Sequence, residues 1–258
     1  MQHVLLDRSK PVWVLTINRP EVRNAIARQT LEELDSALSE VESAPDCRAL
    51  ILTGAKGHFA AGGDLRELQQ LTDPEGVRAW STRAKAVLAR LESLPVPVIA
   101  AIEGNAIGGG CELALACDIR IAGESARFKF WEIKMAVTTG WGGGRRLANL
   151  VGKSRAMELL LTGESVNAVH AAEMGLVNHL VPDNHALQAA FTLANHIAGQ
   201  APLAVREMKA LLGEVESLSP AEADARETER FVRTWMSEDH ARAVDGYFQR
   251  RAVKWQGR

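Results

Sequence analysis

Residues 96–118 read VPVIAAIEGNAIGGGCELALACD, and this stretch sets the strictest terms for the fold. The apolar, β-branched run over 96–102 suits a buried strand. Gly104-Asn105 breaks it. Gly108, Gly109 and Gly110 then precede Cys111-Glu112-Leu113-Ala114-Leu115-Ala116-Cys117, a string of good helix formers. Glycines at a helix start leave its first N–H groups bare and approachable. The helix dipole adds partial positive charge there. Such a place stabilises a phosphate, a carboxylate or a developing oxyanion, or simply lets strand and helix pack closely. Glu112 falls in the first turn, beside those donors.

A matching stretch lies upstream. The buried run RALILT over 48–53 leads into GAKGHFAAGGD, and Asp64 is a fitting helix-start residue before Leu65-Arg66-Glu67-Leu68. Two such turns offer two backbone N–H groups to one oxygen, the minimal form of an oxyanion hole. A third glycine-rich turn, Thr138-Thr139-Gly140-Trp141-Gly142-Gly143-Gly144, feeds a helix expected from about Arg145.

Around these turns the pattern alternates. A strand is expected at 12–17, stopped by Asn18-Arg19-Pro20. From Thr30, Leu31, Leu34, Leu38 and Val41 recur at helical spacing until Pro45. A long helix over 74–94 presents Val77, Trp80, Ala84, Val87, Leu91 and Leu94 inward. Strands follow at 118–122 and 126–130, helices at 154–161 and 168–174, and a last strand at 176–181. From Asn184 the pattern is helical, broken near 199–202 and 213–220. Strands alternating with helices argue an α/β fold with mainly parallel pairing to about residue 182, then a helical tail. No repeat of fixed period is visible.

Composition narrows the function. The 258 residues, 47% hydrophobic, allow one large domain or a domain with an appendage. A net charge of −2 and a pI near 6.4 give no electrostatic footprint for nucleic acid or an anionic membrane. Cys47, Cys111 and Cys117 lack metal-type spacing and form no disulfide framework; Cys111 and Cys117 read as small core residues. No basic-then-apolar leader or membrane-length window is seen, so a soluble cytoplasmic protein is expected. Gly152-Lys153-Ser154 fails as a phosphate-binding P-loop, because Leu147 stands where its first glycine belongs.

Asn18-Arg19-Pro20 with Asn24-Ala25, Phe59-Ala60-Ala61-Gly62-Gly63-Asp64-Leu65, the 99–118 stretch, and Gly152-Lys153-Ser154-Arg155-Ala156-Met157-Glu158 together resemble the crotonase superfamily. Leu161-Thr162-Gly163, Ala171-Ala172-Glu173-Met174-Gly175-Leu176-Val177 and Phe248 with Lys254-Trp255 extend the match over nearly the whole chain. The enoyl-CoA hydratase/isomerase branch is the most similar. The resemblance implies a crotonase-like spiral of strand–strand–helix units over 1–195, a helical trimerisation region over 196–258, and a homotrimer or a dimer of trimers. It also implies an acyl-CoA thioester substrate, with coenzyme A as part of that substrate and no metal or redox cofactor. By position, Gly63 and Gly109 would hold the thioester oxygen. Ala61, Asp64, Leu65 and Arg66 would line the CoA arm, and Arg23 and Lys254 would meet CoA phosphates. Hydratases of this family use two glutamates, which fall on Glu112 and Glu132. The resemblance gives Glu132 the main acid/base role and has Glu112 hold the attacking water, with a backbone contact from Gly140.

Two places depart from the family's pattern. Lys129-Phe130-Trp131-Glu132 stands where Gly-x-Pro-Glu is common, and Thr139-Gly140-Trp141-Gly142-Gly143 where Pro-Gly-x-Gly-Gly is common. Trp131, Met135 and Trp141 add bulk there, either as packing residues or to narrow the acyl pocket for a short or unusual acyl group. The expected activity is enoyl-CoA hydration. The alternatives are a Δ3,Δ2-enoyl-CoA isomerase, a CoA-ester decarboxylase, or a CoA- or RNA-binding homologue without efficient catalysis.

Overall fold

The apolar runs pair into one large sheet and a second, smaller one. In the computed structural model, which describes residues 2–9, 11–215 and 218–257, the strands are β1 (Val4–Asp7), β2 (Val12–Ile17), β3 (Ala49–Gly54), β4 (Val98–Ile102), β5 (Asn105–Ile107), β6 (Ile119–Gly123), β7 (Arg127–Lys129), β8 (Ser165–Asn167) and β9 (His179–Val181). The large sheet has the order β1-β2-β3-β4-β6-β9, parallel throughout except at the β1 edge. The small sheet has the order β5-β7-β8. The helices are α1 (Arg28–Ser43), α2 (Leu65–Leu68), α3 (Pro74–Ser93), α4 (Gly109–Leu115), α5 (Gly143–Val151), α6 (Lys153–Thr162), α7 (Ala168–Glu173), α8 (Ala186–Ala198), α9 (Pro202–Glu214), α10 (Pro220–Trp235) and α11 (Glu238–Gln249).

Successive side chains of a strand face opposite ways. Leu50 and Leu52 of β3 therefore join Leu31, Leu34 and Leu38 of α1 and Val87, Leu88 and Leu91 of α3 in the main core. Ala49 and Ile51 face the other way, onto Ala186, Ala190 and Ala194 of α8. Both faces of the sheet are covered, so its central strands read as unbroken apolar runs rather than alternating ones.

The way the two sheets share the chain positions the site. β4 lies in the large sheet, β5 in the small one, and α4 follows; β6 and β7 divide the same way. After β3, Ala60 makes a single parallel bridge to Ala106 of β5, so the first glycine turn enters the same arrangement. This is the strand–strand–helix plan. Ala106 in turn pairs in parallel with Phe128 of β7. Three residues beyond each of these partners come Gly63, Gly109 and Trp131, at one end of one set of parallel strands. Ends of parallel strands are where α/β folds place their ligands.

Some elements differ from the sequence reading. β1, β5 and β8 were not expected; β5 and β8 are three residues long, too short to show a period. Helix α4 starts at Gly109, so Gly109 and Gly110 lie inside it. Each of the three glycines has its own reason: Gly108 has φ +51°, a methyl at Gly109 would overlap the Trp141 ring, and one at Gly110 would overlap the Ala60 carbonyl. Helix α5 starts at Gly143 rather than Arg145, because the Glu112 carboxylate accepts its first N–H. Val77 is exposed, and the buried face of α3 begins at Ala84. A further break at Met236 separates α10 from α11, where the Ser237 side chain caps His240 N–H. The expected break at 213–220 includes residues 216 and 217, outside the described ones. The expected boundary at 195 falls within α8, whose Ile197 and Ala198 still pack against the sheet.

Candidate active site

The first glycine turn is clamped by Ile26, whose N–H donates to Gly62 O at 2.7 Å and whose carbonyl accepts Asp64 N–H at 2.9 Å. Both flanking peptide groups thus face Ile26, and on an extended backbone the Gly63 N–H faces the opposite way. Gly109 is the first residue of α4, so its N–H has no partner within the helix. Among the described residues neither amide has a hydrogen-bond acceptor. The two turns touch: a methyl at Gly62 would stand 3.1 Å from Gly109 N. The arrangement brings two unspent N–H donors together, which is what a developing oxyanion requires.

Glu112 is buried in the first turn of α4, and its carboxylate is held by the third glycine turn. Oε2 accepts Trp141 N–H at 2.8 Å and Gly143 N–H at 2.6 Å, and Oε1 accepts Gly140 N–H at 3.2 Å. Burial drives its pKa up; the three amides and the nearby Arg146 charge oppose that without cancelling it. The Gly140 N–H is thereby spent on Glu112 Oε1, so its expected influence on a water would pass through that carboxylate.

Glu132 is the opposite case. It sits in a short 3-10 helix, Trp131–Met135, and both its carboxylate oxygens are buried with no hydrogen bond to another residue among the described ones. Its Oε1 would lie 3.7 Å from a methyl placed on Gly108, one residue before Gly109. Burial first, and then the Glu112 charge, push its pKa up to about 7. Two carboxyls in unlike surroundings, one tied and one free, are suited to divide the tasks of holding a reactant and carrying a proton.

The turn that holds Glu112 is itself braced. Ser81 of α3 donates its hydroxyl to Gly140 O at 2.6 Å, and Trp80 packs edge-on to Trp141 with centroids 6.1 Å apart. Arg146 donates Nη1 to Trp141 O at 3.0 Å while Glu92 accepts from its Nε and Nη2. The sequence reading missed Ser81 and Arg146, and no local signal points to either: Ser81 meets its partner across 59 positions.

The remaining expected residues divide. Asp64 caps α2 by accepting Arg66 N–H at 3.1 Å and pairs with Arg19 Nη1 at 2.9 Å. Burial raises its pKa, but the Arg19 guanidinium and the amides pull harder and the net shift is downward. Ala61 is half-buried; Leu65, Arg66 and Arg23 are exposed, with Arg23 in the left-handed region at φ +53°. Trp131 is exposed, with the Lys129 ammonium 6.0 Å from its ring centroid, and Met135 is exposed. Trp141 alone of the three bulky residues is buried. Lys254 is exposed on a C-terminal strap fastened by Trp255 Nε1 to Gly199 O and by Gln256 and Gly257 N–H to Asp239.

The model of one family, enoyl-CoA hydratase/isomerase, matches residues 7–258. The chain belongs to the enoyl-CoA hydratase/isomerase family. It is 38% identical over 255 residues to a short-chain-enoyl-CoA hydratase of Clostridium acetobutylicum, covering 98% of this chain and 97% of the relative. It is 34% identical over 258 residues to a 2,3-dehydroadipyl-CoA hydratase of Escherichia coli, covering both chains fully. The crystal structure of an enoyl-CoA hydratase from Bacillus anthracis superposes over the whole of both chains with a TM-score of 0.95 at 34% identity. These matches agree with the hydratase/isomerase branch reached from the sequence.

Proposed function

We infer that the chain is an enoyl-CoA hydratase, a hydro-lyase that adds water across the 2,3-double bond of a 2-enoyl-CoA thioester. The observation that carries this reading is the pairing of two unspent amides, Gly63 and Gly109, with two glutamates of unlike environment. The thioester oxygen sits on the two amides, which stabilise the enolate charge that gathers there. Water divides: its hydroxyl bonds to C3 and its proton reaches C2. Glu112, fixed by three amides, holds the water through Oε1; Glu132, free of partners, takes the water's proton and delivers it to C2. The reading needs no metal or redox group, since coenzyme A arrives on the substrate. Ala61, Asp64, Leu65 and Arg66 flank the path of the CoA arm beside Gly63, and Arg23 and Lys254 are the cations for its phosphates.

Because Glu132 must be ionised to accept a proton, kcat/KM for crotonyl-CoA is expected to rise with pH through about 7. Glu112→Gln removes the neighbouring charge that helps raise Glu132, so the residual rate should show its rising limb at lower pH. A pH–rate profile of both proteins checks this; a limb that stays in place would separate the two carboxyls.

A single free carboxyl also suits a shift of the double bond from C3 to C2, which needs one proton carrier and no water. The product mass distinguishes the reactions: hydration adds one water and the shift adds nothing.

The assembly belongs to the same reading. Phe231 and Trp235 of α10, Met236 just after it, and Tyr247 and Phe248 of α11 are all exposed in the single chain. Monomeric proteins rarely leave such large apolar groups uncovered together. Two further copies of this chain would cover them, giving a homotrimer or a pair of trimers. Sedimentation at three or six times the 28.0 kDa chain is the expected result, and a monomer at micromolar concentration would contradict it. A cytoplasmic location and a place in fatty-acid metabolism accord with this reading.

A further inference from the structure

Trp141 does more than fill space, because its ring lies against Gly109 and close to Gly63, the two glycines of the oxyanion pair. A methyl at Gly109 would overlap its six-membered ring, with Cη2 at 2.5 Å and Cε3 at 2.7 Å. At Gly63 the same ring's Cζ2 would be 3.6 Å from such a methyl, and Leu68 Cδ1 2.6 Å away. The benzo edge of the indole therefore spans from one oxyanion glycine toward the other, with Leu68 beside it. It cannot fall back. Its own N–H is held by Glu112, its carbonyl by Arg146, and its ring is backed by Trp80 of α3, while Ser81 pins the preceding carbonyl.

An acyl group whose carbonyl oxygen rests on the Gly63 and Gly109 amides has its next carbons close to the two glycines, and this ring lies against one and near the other. Carbons past the reacting pair have to pass it. A rigid, well-packed wall resists added methylenes, because the interior is dense and its neighbours are fixed. We propose that Trp141 closes the acyl pocket just beyond the reacting carbons and restricts the enzyme to short 2-enoyl-CoA thioesters. Trp131, exposed beside Lys129, is not among the side chains nearest Gly63 or Gly109. The assignment rests on the hydratase reading for its chemistry, but its steric claim is measurable without turnover.

The test uses the full-length protein, Trp141→Ala and Trp141→Phe. Hydration is followed on crotonyl-, 2-hexenoyl-, 2-octenoyl- and 2-decenoyl-CoA, and calorimetry gives the affinities of butyryl- and decanoyl-CoA. For the wild type, kcat/KM should fall about tenfold or more with each added pair of methylenes, the scale on which a hydrophobic pocket discriminates. Trp141→Ala should bring 2-octenoyl- and 2-decenoyl-CoA to within about tenfold of its own crotonyl-CoA value. Trp141→Phe, the milder truncation, should extend the range by one pair of methylenes. In binding, the wild type should prefer butyryl- over decanoyl-CoA and Trp141→Ala should lose that preference. A wild type that hydrates 2-octenoyl-CoA as well as crotonyl-CoA would overturn the proposal. So would a variant with native circular dichroism that keeps the wild-type length profile. If no thioester is hydrated, the hydratase reading fails, and the butyryl-versus-decanoyl comparison still decides the role of Trp141.

Discussion

Glu132→Gln is expected to lower kcat on crotonyl-CoA by about 100- to 10,000-fold, the range lost when a positioned acid/base group is removed. KM should change little, because the Glu132 carboxylate makes no hydrogen bond to another residue among the described ones and is not among the expected CoA contacts. The same substitution should not weaken the fold at alkaline pH. The folded-state pKa of Glu132 is raised from 4.5 to about 7, so the folded protein holds this proton where the unfolded chain has released it. Its contribution to stability is therefore present below about pH 4.5 and is lost as pH rises toward 7. Glutamine stays neutral and escapes that loss, by up to about 3 kcal/mol at pH 8. Thermal melts at pH 5 and pH 8 should thus show the mutant gaining on the wild type at the higher pH while its turnover is gone. A mutant that melts far below the wild type at both pH values would assign the lost activity to misfolding instead.

Glu112→Gln should damage both chemistry and fold. Glutamine keeps one oxygen, which can replace Oε2 between Trp141 N–H and Gly143 N–H. Its amide nitrogen then faces Gly140 N–H, where Oε1 had accepted, and two donors meet. A buried donor without an acceptor costs about 1–3 kcal/mol, so the midpoint of urea unfolding should fall measurably. Turnover should drop by about 100-fold or more, since the group that fixes the water and shapes the turn at 140–143 is gone. Near-normal kcat in this mutant would remove Glu112 from the mechanism.

The sequence showed the parts of the site that carry local signals. Strand-then-glycine-then-helix could be read twice, and Asp64 could be recognised as a cap, because each is set by neighbours a few positions away. Glu112 and Glu132 were found by position within a family frame rather than from their surroundings. What distinguishes them, three amides of other residues on one and, among the described residues, none on the other, comes from a turn folded back onto α4. The small sheet was not legible, since strands of three residues have no period to detect. It is that sheet's register, Ala60 to Ala106 to Phe128, that aligns Gly63, Gly109 and Trp131. The contact of the Trp141 ring with Gly109 likewise joins residues far apart in the chain and carries no local signal. Ser81 shows the same limit: a helix-surface serine looks ordinary until the turn it braces is in place.

The most direct measurement is the reaction of crotonyl-CoA with the wild-type protein and Glu132→Gln, following loss of the conjugated thioester in the ultraviolet and weighing the product. The account predicts a product heavier by one water from the wild type and almost none from the mutant. Unchanged crotonyl-CoA in the presence of a folded protein that binds butyryl-CoA, or hydration that survives in Glu132→Gln, would contradict it.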